Sequence, residues 1–134
     1  CRGAKNLEVG GIIIGMYVAN HIYAWVICIT DAPSDSSSNQ RWFQRGISGL
    51  QFLLDKYWQQ RQFYYLGEWH FHPNASAEAS AVDIEQMRSI SLSAVYNCPE
   101  PILVILGGDP KSDWEIRSYV FPRNKTWIEL KTPG

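Results

Sequence analysis

The apolar residues of this 134-residue chain are gathered in short runs. The longest runs, Gly11–Ala19 and Ile22–Ile29, contain many β-branched and aromatic side chains. Both fall well short of the roughly 20 apolar residues that a membrane-spanning helix requires. The run Ile12–Val18 is continuous, as expected for a strand that is covered on both faces, and Ile22–Ile29 is expected to pair with it in a hairpin. The chain is therefore expected to fold around a buried sheet, without a membrane partner.

The remaining pattern adds helices to this sheet. Strands are expected where β-branched and aromatic residues lie between turn signals. These are Ile12–Val18 and Ile22–Ile29 (a hairpin with its turn at Ala19–His21), Phe63–His72, Ile102–Leu106 and Trp114–Phe121, with a short C-terminal element around Trp127–Leu130. The three- and four-residue spacing of amphipathic helices occurs twice. It is found at Phe43, Ile47, Leu50, Leu54 and Tyr57, and in Ser80–Tyr96, where Ile84, Met87, Ala94 and Val95 share one side. Asp31–Gln40 is expected to be a solvated loop and Gly107–Pro110 a turn. The predicted class is α/β: a curved mixed sheet flanked by helices.

Composition limits the class of partner. The chain has 12 basic and 13 acidic residues and a net charge of −1, without a basic block. A nucleic-acid partner is therefore not expected. The start at Cys1 shows no signal-peptide pattern, and the three cysteines have no metal-binding or redox spacing. A reducing cytoplasm is the expected location.

Two histidines and an aspartate indicate a metal site. Side chains two apart on a strand point to the same face, so His70 and His72 project together. Pro73 ends the strand, and a return of the chain would bring the start of the next helix, with Asp83, close to both imidazoles. Two imidazoles and one carboxylate leave a tetrahedral Zn²⁺ one ligand short, which is the arrangement of hydrolytic zinc sites. Glu8, before the strand that begins near Gly10–Gly11, could reach that open position without binding the metal.

Each of these features has a structural alternative. A His-x-His pair on a strand is often incidental, and Ser80-x-x-Asp83 could serve only as a helix-capping pair. Glu68 shares the face of the two histidines and is a rival ligand. Three successive same-face positions on a straight strand span roughly 13 Å, however, which favours Asp83. His21 lies in a turn and is expected to be exposed.

Taken together, the segments Glu8-Val-Gly-Gly11, His70-Phe-His72-Pro73 and Ser80-Ala-Val-Asp83 resemble the JAMM motif of the MPN-domain metallopeptidases. The resemblance implies a cytidine-deaminase-like MPN fold with zinc held by His70, His72 and Asp83. It also implies that Glu8 is the general acid/base and that Ser80 steadies the oxyanion. The segment Gly67-Glu-Trp-His-x-His-Pro is most similar to the corresponding segment of the small prokaryotic branch. Some members of that branch occur in CBASS-like or ubiquitin-like antiviral operons.

This resemblance also implies a substrate and partners. Members of the family cleave isopeptide or peptide bonds after the C-terminal glycine of a ubiquitin-like protein or conjugate. Capture of an extended C-terminal tail is expected, with E1/E2-like operon partners. The alternatives are processing of a sulfur-carrier protein and a non-catalytic scaffold. We expect one MPN/JAMM domain over residues 1–134. Family members usually place a strand and a helix before the glutamate, whereas only seven residues precede Glu8.

Cys1 suggests a further hypothesis about regulation. A thiolate seven residues ahead of Glu8 could reach the open zinc position and inhibit the enzyme. The alternative is a terminal cysteine without a role.

Overall fold

A six-stranded mixed sheet with two helices forms the fold. The computed structural model describes residues 8–20, 23–38, 43–109 and 111–130. The elements are β1 (Val9–Val18), β2 (Tyr23–Ile29), β3 (Ser37–Ser38), β4 (Phe43–Gln44), α1 (Leu50–Arg61), β5 (Tyr64–Pro73), α2 (Ala81–Leu92), β6 (Ile102–Gly108), β7 (Trp114–Val120) and β8 (Ile128–Leu130). The predicted fold class is confirmed.

The order of the strands places β5 at the centre of the sheet. The order is β2-β1-β5-β6-β7-β8, and β3 and β4 form a separate two-stranded ribbon. The pair β5 and β6 is parallel, whereas the other neighbours in the large sheet are antiparallel. Parallel neighbours need a crossover connection, and α2 lies in that connection. Through this connection, the start of α2 lies close to the end of β5.

The β1–β2 hairpin was predicted correctly. Ala19 and Asn20 both have left-handed backbone conformations, with φ of 53° and 57°. Two successive residues with positive φ match the right-handed twist of a hairpin. His21, which was expected to be exposed, lies outside the described residues, as do Cys1 and Pro110.

Both helices pack on one face of the sheet, and a separate apolar cluster covers the other face. Ile12 and Leu103 flank Glu68 in register, so these three residues share one face. Residues of α1 pack near Ile12 and residues of α2 pack near Leu103, which places both helices on this face. Trp69 and Phe71 lie in a separate cluster with Ile13 and Leu66. They therefore point away from the face that carries the two histidines.

The first helix begins later than its apolar stripe predicted. Helix α1 starts at Leu50, Phe43 belongs to β4, and the side chain of Ile47 is 72% exposed. The backbone before the helix is held by a different interaction. The Asp35 carboxylate accepts hydrogen bonds from the N–H groups of Ile47 and Ser48, at 3.0 and 2.9 Å. Spacing alone could not reveal this long-range contact, so the prediction was wrong over residues 43–49, about two helical turns.

The second helix ends earlier than predicted. It was expected to reach Tyr96, but α2 ends at Leu92, and Val95 is 92% exposed. The backbone becomes extended at Ser93, so the following residues turn back toward the sheet. There the ring of Tyr96 lies 4.9 Å from the ring of Tyr65. The contact with Tyr65 therefore replaces the last helical turn.

Two loop predictions also needed correction. Gly107 and Gly108, expected in a turn, are the last residues of β6. The chain turns just after them, where the Ser112 N–H donates to the Asp109 carbonyl at 3.1 Å. Ser37–Ser38, expected within a solvated loop, forms β3.

Of the helices in the described ranges, none is long and apolar enough to cross a membrane.

Candidate metal centre

The structure brings His70, His72 and Asp83 together. Each offers one ligand atom, and these atoms all lie within 4.8 Å of one another. All three side chains are buried. Buried ionisable groups are costly unless they pair with each other or coordinate a metal. The arrangement is therefore a candidate metal site.

Two elements place these side chains. His70 and His72 are alternate residues of β5, so both point to the helix-bearing face. Asp83 lies in the first turn of α2. Its Oδ1 is 2.9 Å from His70 Nδ1, and its Oδ2 is 3.2 Å from His72 Nε2. One carboxylate therefore faces both imidazoles.

Ser80 and Asp83 also form a helix cap. The Asp83 N–H donates to Ser80 Oγ at 3.1 Å, and the Ser80 N–H donates to Asp83 Oδ2 at 2.9 Å. This reciprocal pair is a capping box. The capping alternative is thus present in the structure, and it does not compete with the metal interpretation. The cap holds the Asp83 carboxylate toward the histidines.

The orientation of His72 suits a metal ligand. Its Nδ1 donates to the Ser76 carbonyl at 3.0 Å, which leaves the lone pair of Nε2 directed to the other side of the ring. Nε2 is buried and makes no hydrogen bond among the residues that the structure describes, although the Asp83 carboxylate faces it at 3.2 Å. Histidines that bind metals commonly donate their other ring N–H to a carbonyl or carboxylate. The residues present therefore fit a bound metal ion.

Glu8 lies beside this group. In the β1–β5 register Val9 is opposite Phe71, so Glu8 comes next to the position of His72. Its Oε1 is 3.8 Å from His72 Nε2, and the side chain is buried. The pairing of β1 with β5 thus brings Glu8 to the histidines. Its catalytic role stays a prediction.

The charges of the site are set by burial and by the pairs within it. Burial raises the pKa of Asp83, but the close approach of His70 and His72 outweighs it, and the net pKa is well below the ordinary value. Asp83 is therefore ionised, which is the form that binds metals. Burial raises the pKa of Glu8, and the neighbouring His72 only partly offsets this.

Glu68, the rival ligand, has partners of its own. Its Oε1 accepts a hydrogen bond from Arg45 Nε at 2.6 Å, and its Oε2 accepts one from the Tyr65 hydroxyl. Arg45 also donates to the Tyr96 hydroxyl. Both members of the ion pair are buried. Arg45 was not among the residues predicted from the sequence. A signal was available, because a buried carboxylate that binds no metal needs a cationic partner.

Comparison with known proteins identifies the family. A family model described as prokaryotic homologs of the JAB domain matches residues 1–120. The chain therefore belongs to this prokaryotic branch of the JAMM/MPN proteins, as its motif predicted.

Two curated relatives specify the class. The chain is 41% identical over 131 residues to a CD-NTase/cGAS isopeptidase of Enterobacter hormaechei subsp. hoffmannii (strain UCI 50), covering 98% of this chain and 72% of the relative. It is 30% identical over 110 residues to the probable metalloprotease y4qB of Sinorhizobium fredii (strain NBRC 101917 / NGR234), covering 80% of this chain and 66% of that protein. The chain is thus a hydrolase of the JAB family.

A solved structure shares the fold. The solution structure of protein DSY2949 from Desulfitobacterium hafniense matches with a TM-score of 0.66 at 19% identity, covering 97% of this chain and 80% of that one. At this identity the likeness concerns the fold alone.

Proposed function

We propose that this protein is a zinc-dependent isopeptidase that cleaves after the C-terminal glycine of a conjugated protein in bacterial antiviral defence. The observation that carries the proposal is the buried group of His70, His72 and Asp83 with Glu8 beside it. The relative named CD-NTase/cGAS isopeptidase supports the substrate class. By that likeness, the conjugated protein is a CD-NTase/cGAS-type enzyme.

The donor set favours zinc. Imidazole nitrogen and carboxylate oxygen are common zinc ligands, and catalytic sites keep three protein ligands and one open position. His70, His72 and Asp83 would hold the ion, with His72 binding through Nε2, the atom that lacks a hydrogen-bond partner in the described structure. Zinc bound there would supply a Lewis acid that lowers the pKa of water and polarises a carbonyl group.

In this proposal Glu8 moves the proton. Its carboxylate takes a proton from the attacking water, whose oxygen bonds to the carbonyl carbon of the terminal glycine. The carbon–nitrogen bond to the lysine then breaks, and Glu8 returns the proton to the departing amine. Glu8 Oε1 lies 3.8 Å from His72 Nε2, the atom that would bind the metal, so a water molecule at the open position of the metal would be its neighbour.

Ser80 would stabilise the oxyanion of the tetrahedral intermediate. Its Oγ accepts the Asp83 N–H, and a hydroxyl can accept and donate at the same time. Capping therefore leaves the Ser80 O–H available as a donor. The two roles require different chemistry, since glycine is tolerated at an N-cap but has no side-chain donor.

Substitutions at Ser80 can separate these two roles. We expect Ser80→Gly to keep nearly the stability of the parent, because glycine is accepted at an N-cap with little loss of stability. It should lower kcat by about 100- to 1000-fold through loss of the oxyanion donor. Ser80→Thr retains the hydroxyl and should retain most of the rate. Urea unfolding and steady-state kinetics of both variants would measure this. Equal rates for Gly and Thr would assign Ser80 to capping alone.

The expected substrate is a slim, extended tail. An extended peptide can add to the exposed edge of a sheet through backbone hydrogen bonds. Glycine at the end of such a tail allows the backbone to approach the site closely. The edges of the large sheet are β2 and β8.

Cleavage of a defined conjugate tests the proposed function. Chelator-treated protein should not cleave a glycine–lysine isopeptide conjugate, and stoichiometric Zn²⁺ should restore cleavage. A linear extension beyond the same terminal glycine should be cleaved more slowly. Preference for the linear substrate would favour the processing-protease alternative. Absence of zinc binding and of cleavage of either substrate would favour the scaffold.

A further inference from the structure

The β5–α2 loop (residues 74–80) passes directly over Gly107. Gly107 is the neighbour of His72 in the parallel β5–β6 pair and therefore shares its face. A Cβ atom at Gly107 would lie 2.6 Å from the Ala75 carbonyl oxygen, 2.6 Å from the Ala77 nitrogen and 2.9 Å from the Ser76 carbonyl carbon. Ordinary van der Waals contact begins near 3.4 Å. Without displacement of the loop, only glycine fits at this position.

The loop is tied down on both sides of this crossing. On one side, the Asn74 N–H donates to the Gly108 carbonyl at 3.1 Å, and the Gly108 N–H donates to the Ala75 carbonyl at 2.8 Å. On the other side, the Ala79 N–H donates to the Tyr119 hydroxyl at 3.2 Å. The side chain of Ala77 is fully buried between these ties. The loop therefore has little freedom to rise away from the sheet.

Ser76, which lies between these two sets of hydrogen bonds, contacts His72. The Ser76 carbonyl accepts the hydrogen bond from His72 Nδ1, at 3.0 Å. The height of the loop above β6 therefore sets the position of this carbonyl. A loop lifted by a side chain at position 107 would move the carbonyl away from the imidazole.

We infer that Gly107 is a positioning residue for His72. Because Gly107 has no side chain, the loop can pack against the sheet, and the Ser76 carbonyl lies within reach of His72. The carbonyl then selects the Nδ1–H tautomer of His72 and directs Nε2 into the metal site. The inference rests on the proposed metal role of His72. Partners of this outer kind typically contribute about 10- to 100-fold to metal affinity.

The test compares the full-length wild type with Gly107→Ala. Long-range ¹H–¹⁵N spectra of the metal-free proteins, at a pH where imidazoles are neutral, report the tautomer of His72. We expect the wild type to be in the Nδ1–H form and G107A to show a shift toward the Nε2–H form. Zinc affinity, measured by competition with a chromophoric chelator, should be about 10- to 100-fold weaker in the variant.

A matched glycine controls for general destabilisation. Gly15 lies in β1, at the far end of the β1–β5 pair from His72, and a Cβ there would lie 1.9 Å from the Trp25 carbonyl oxygen. Gly15→Ala should lower stability without changing the tautomer of His72 or the zinc affinity. An equal change in both variants would overturn the inference, as would an unchanged tautomer in folded G107A.

A second variant covers the case in which G107A does not fold. Tyr119→Phe removes the hydroxyl that binds the Ala79 N–H and leaves the buried ring in place. It should shift the tautomer of His72 in the same direction, and no shift would overturn the inference. A wild type that binds no zinc would refute the proposed function. The spectra of the metal-free proteins would still decide the role of Gly107.

Discussion

Replacing Glu8 by glutamine is expected to abolish most of the activity while the metal stays bound. Glutamine has nearly the shape of glutamate, so it should fit the buried position beside His72. It cannot take a proton from water or return one to the leaving amine. Loss of a general acid/base typically lowers the rate by about 100- to 10,000-fold. Steady-state kinetics on the isopeptide conjugate and elemental analysis of the same preparation would measure the two effects.

The control for this prediction is Glu85→Gln. Glu85 is an exposed residue of α2, and its substitution removes the same charge close to the site. We expect this variant to retain full activity. Full turnover in E8Q would exclude the acid/base role of Glu8. Loss of zinc from E8Q would instead make Glu8 a ligand.

Replacing Asp83 by asparagine is expected to empty the metal site. The amide keeps an oxygen that can accept the Ser80 N–H, so the cap of α2 should survive. The anionic ligand that faces both histidines is lost. Loss of a residue that only hydrogen-bonds to a metal ligand weakens metal binding by about 10- to 100-fold. Loss of a ligand itself should therefore weaken it by at least about 100-fold. Zinc content after dialysis against a chelator would measure this.

The Asp83→Asn variant should lose its cleavage activity together with its zinc. We expect D83N to cleave no conjugate at stoichiometric zinc, with the far-ultraviolet circular dichroism of the parent. The exposed-charge variant E85Q serves as the control for this helix as well. A D83N protein that binds zinc as tightly as the parent would remove Asp83 from the ligand set.

Local sequence patterns predicted most of the strands. The strands β1, β2, β5, β6 and β7 were located because runs of β-branched and aromatic residues between turn signals are a local pattern. The helix boundaries were less accurate. The start of α1 depends on Asp35, and the end of α2 depends on the contact between Tyr96 and Tyr65. These partners are distant in sequence, so periodicity contains no signal for them.

The sequence predicted which residues form the candidate site, but it did not predict the groups that hydrogen-bond to them and to the neighbouring Glu68. The two-residue spacing of His70 and His72 and the Ser80-x-x-Asp83 pair are local patterns, and they are sufficient to identify the grouped residues. The partner of Glu68 could not be named, because many cations in the chain could have served. The Ser76 carbonyl was also missed, since a backbone acceptor leaves no signature in the side chains.

The order of residues by itself determined which side chains share a face: His70 with His72 along β5, and Ser80 with Asp83 in one helical turn. Those relations follow from the geometry of a strand and of a helix, which is local. Only the tertiary structure decided that β5 lies between β1 and β6, that Glu8 and Asp83 meet the histidines, and that a loop crosses Gly107 to orient one of them. Such contacts depend on the packing of whole elements, whose free energy is shared among residues far apart in the chain.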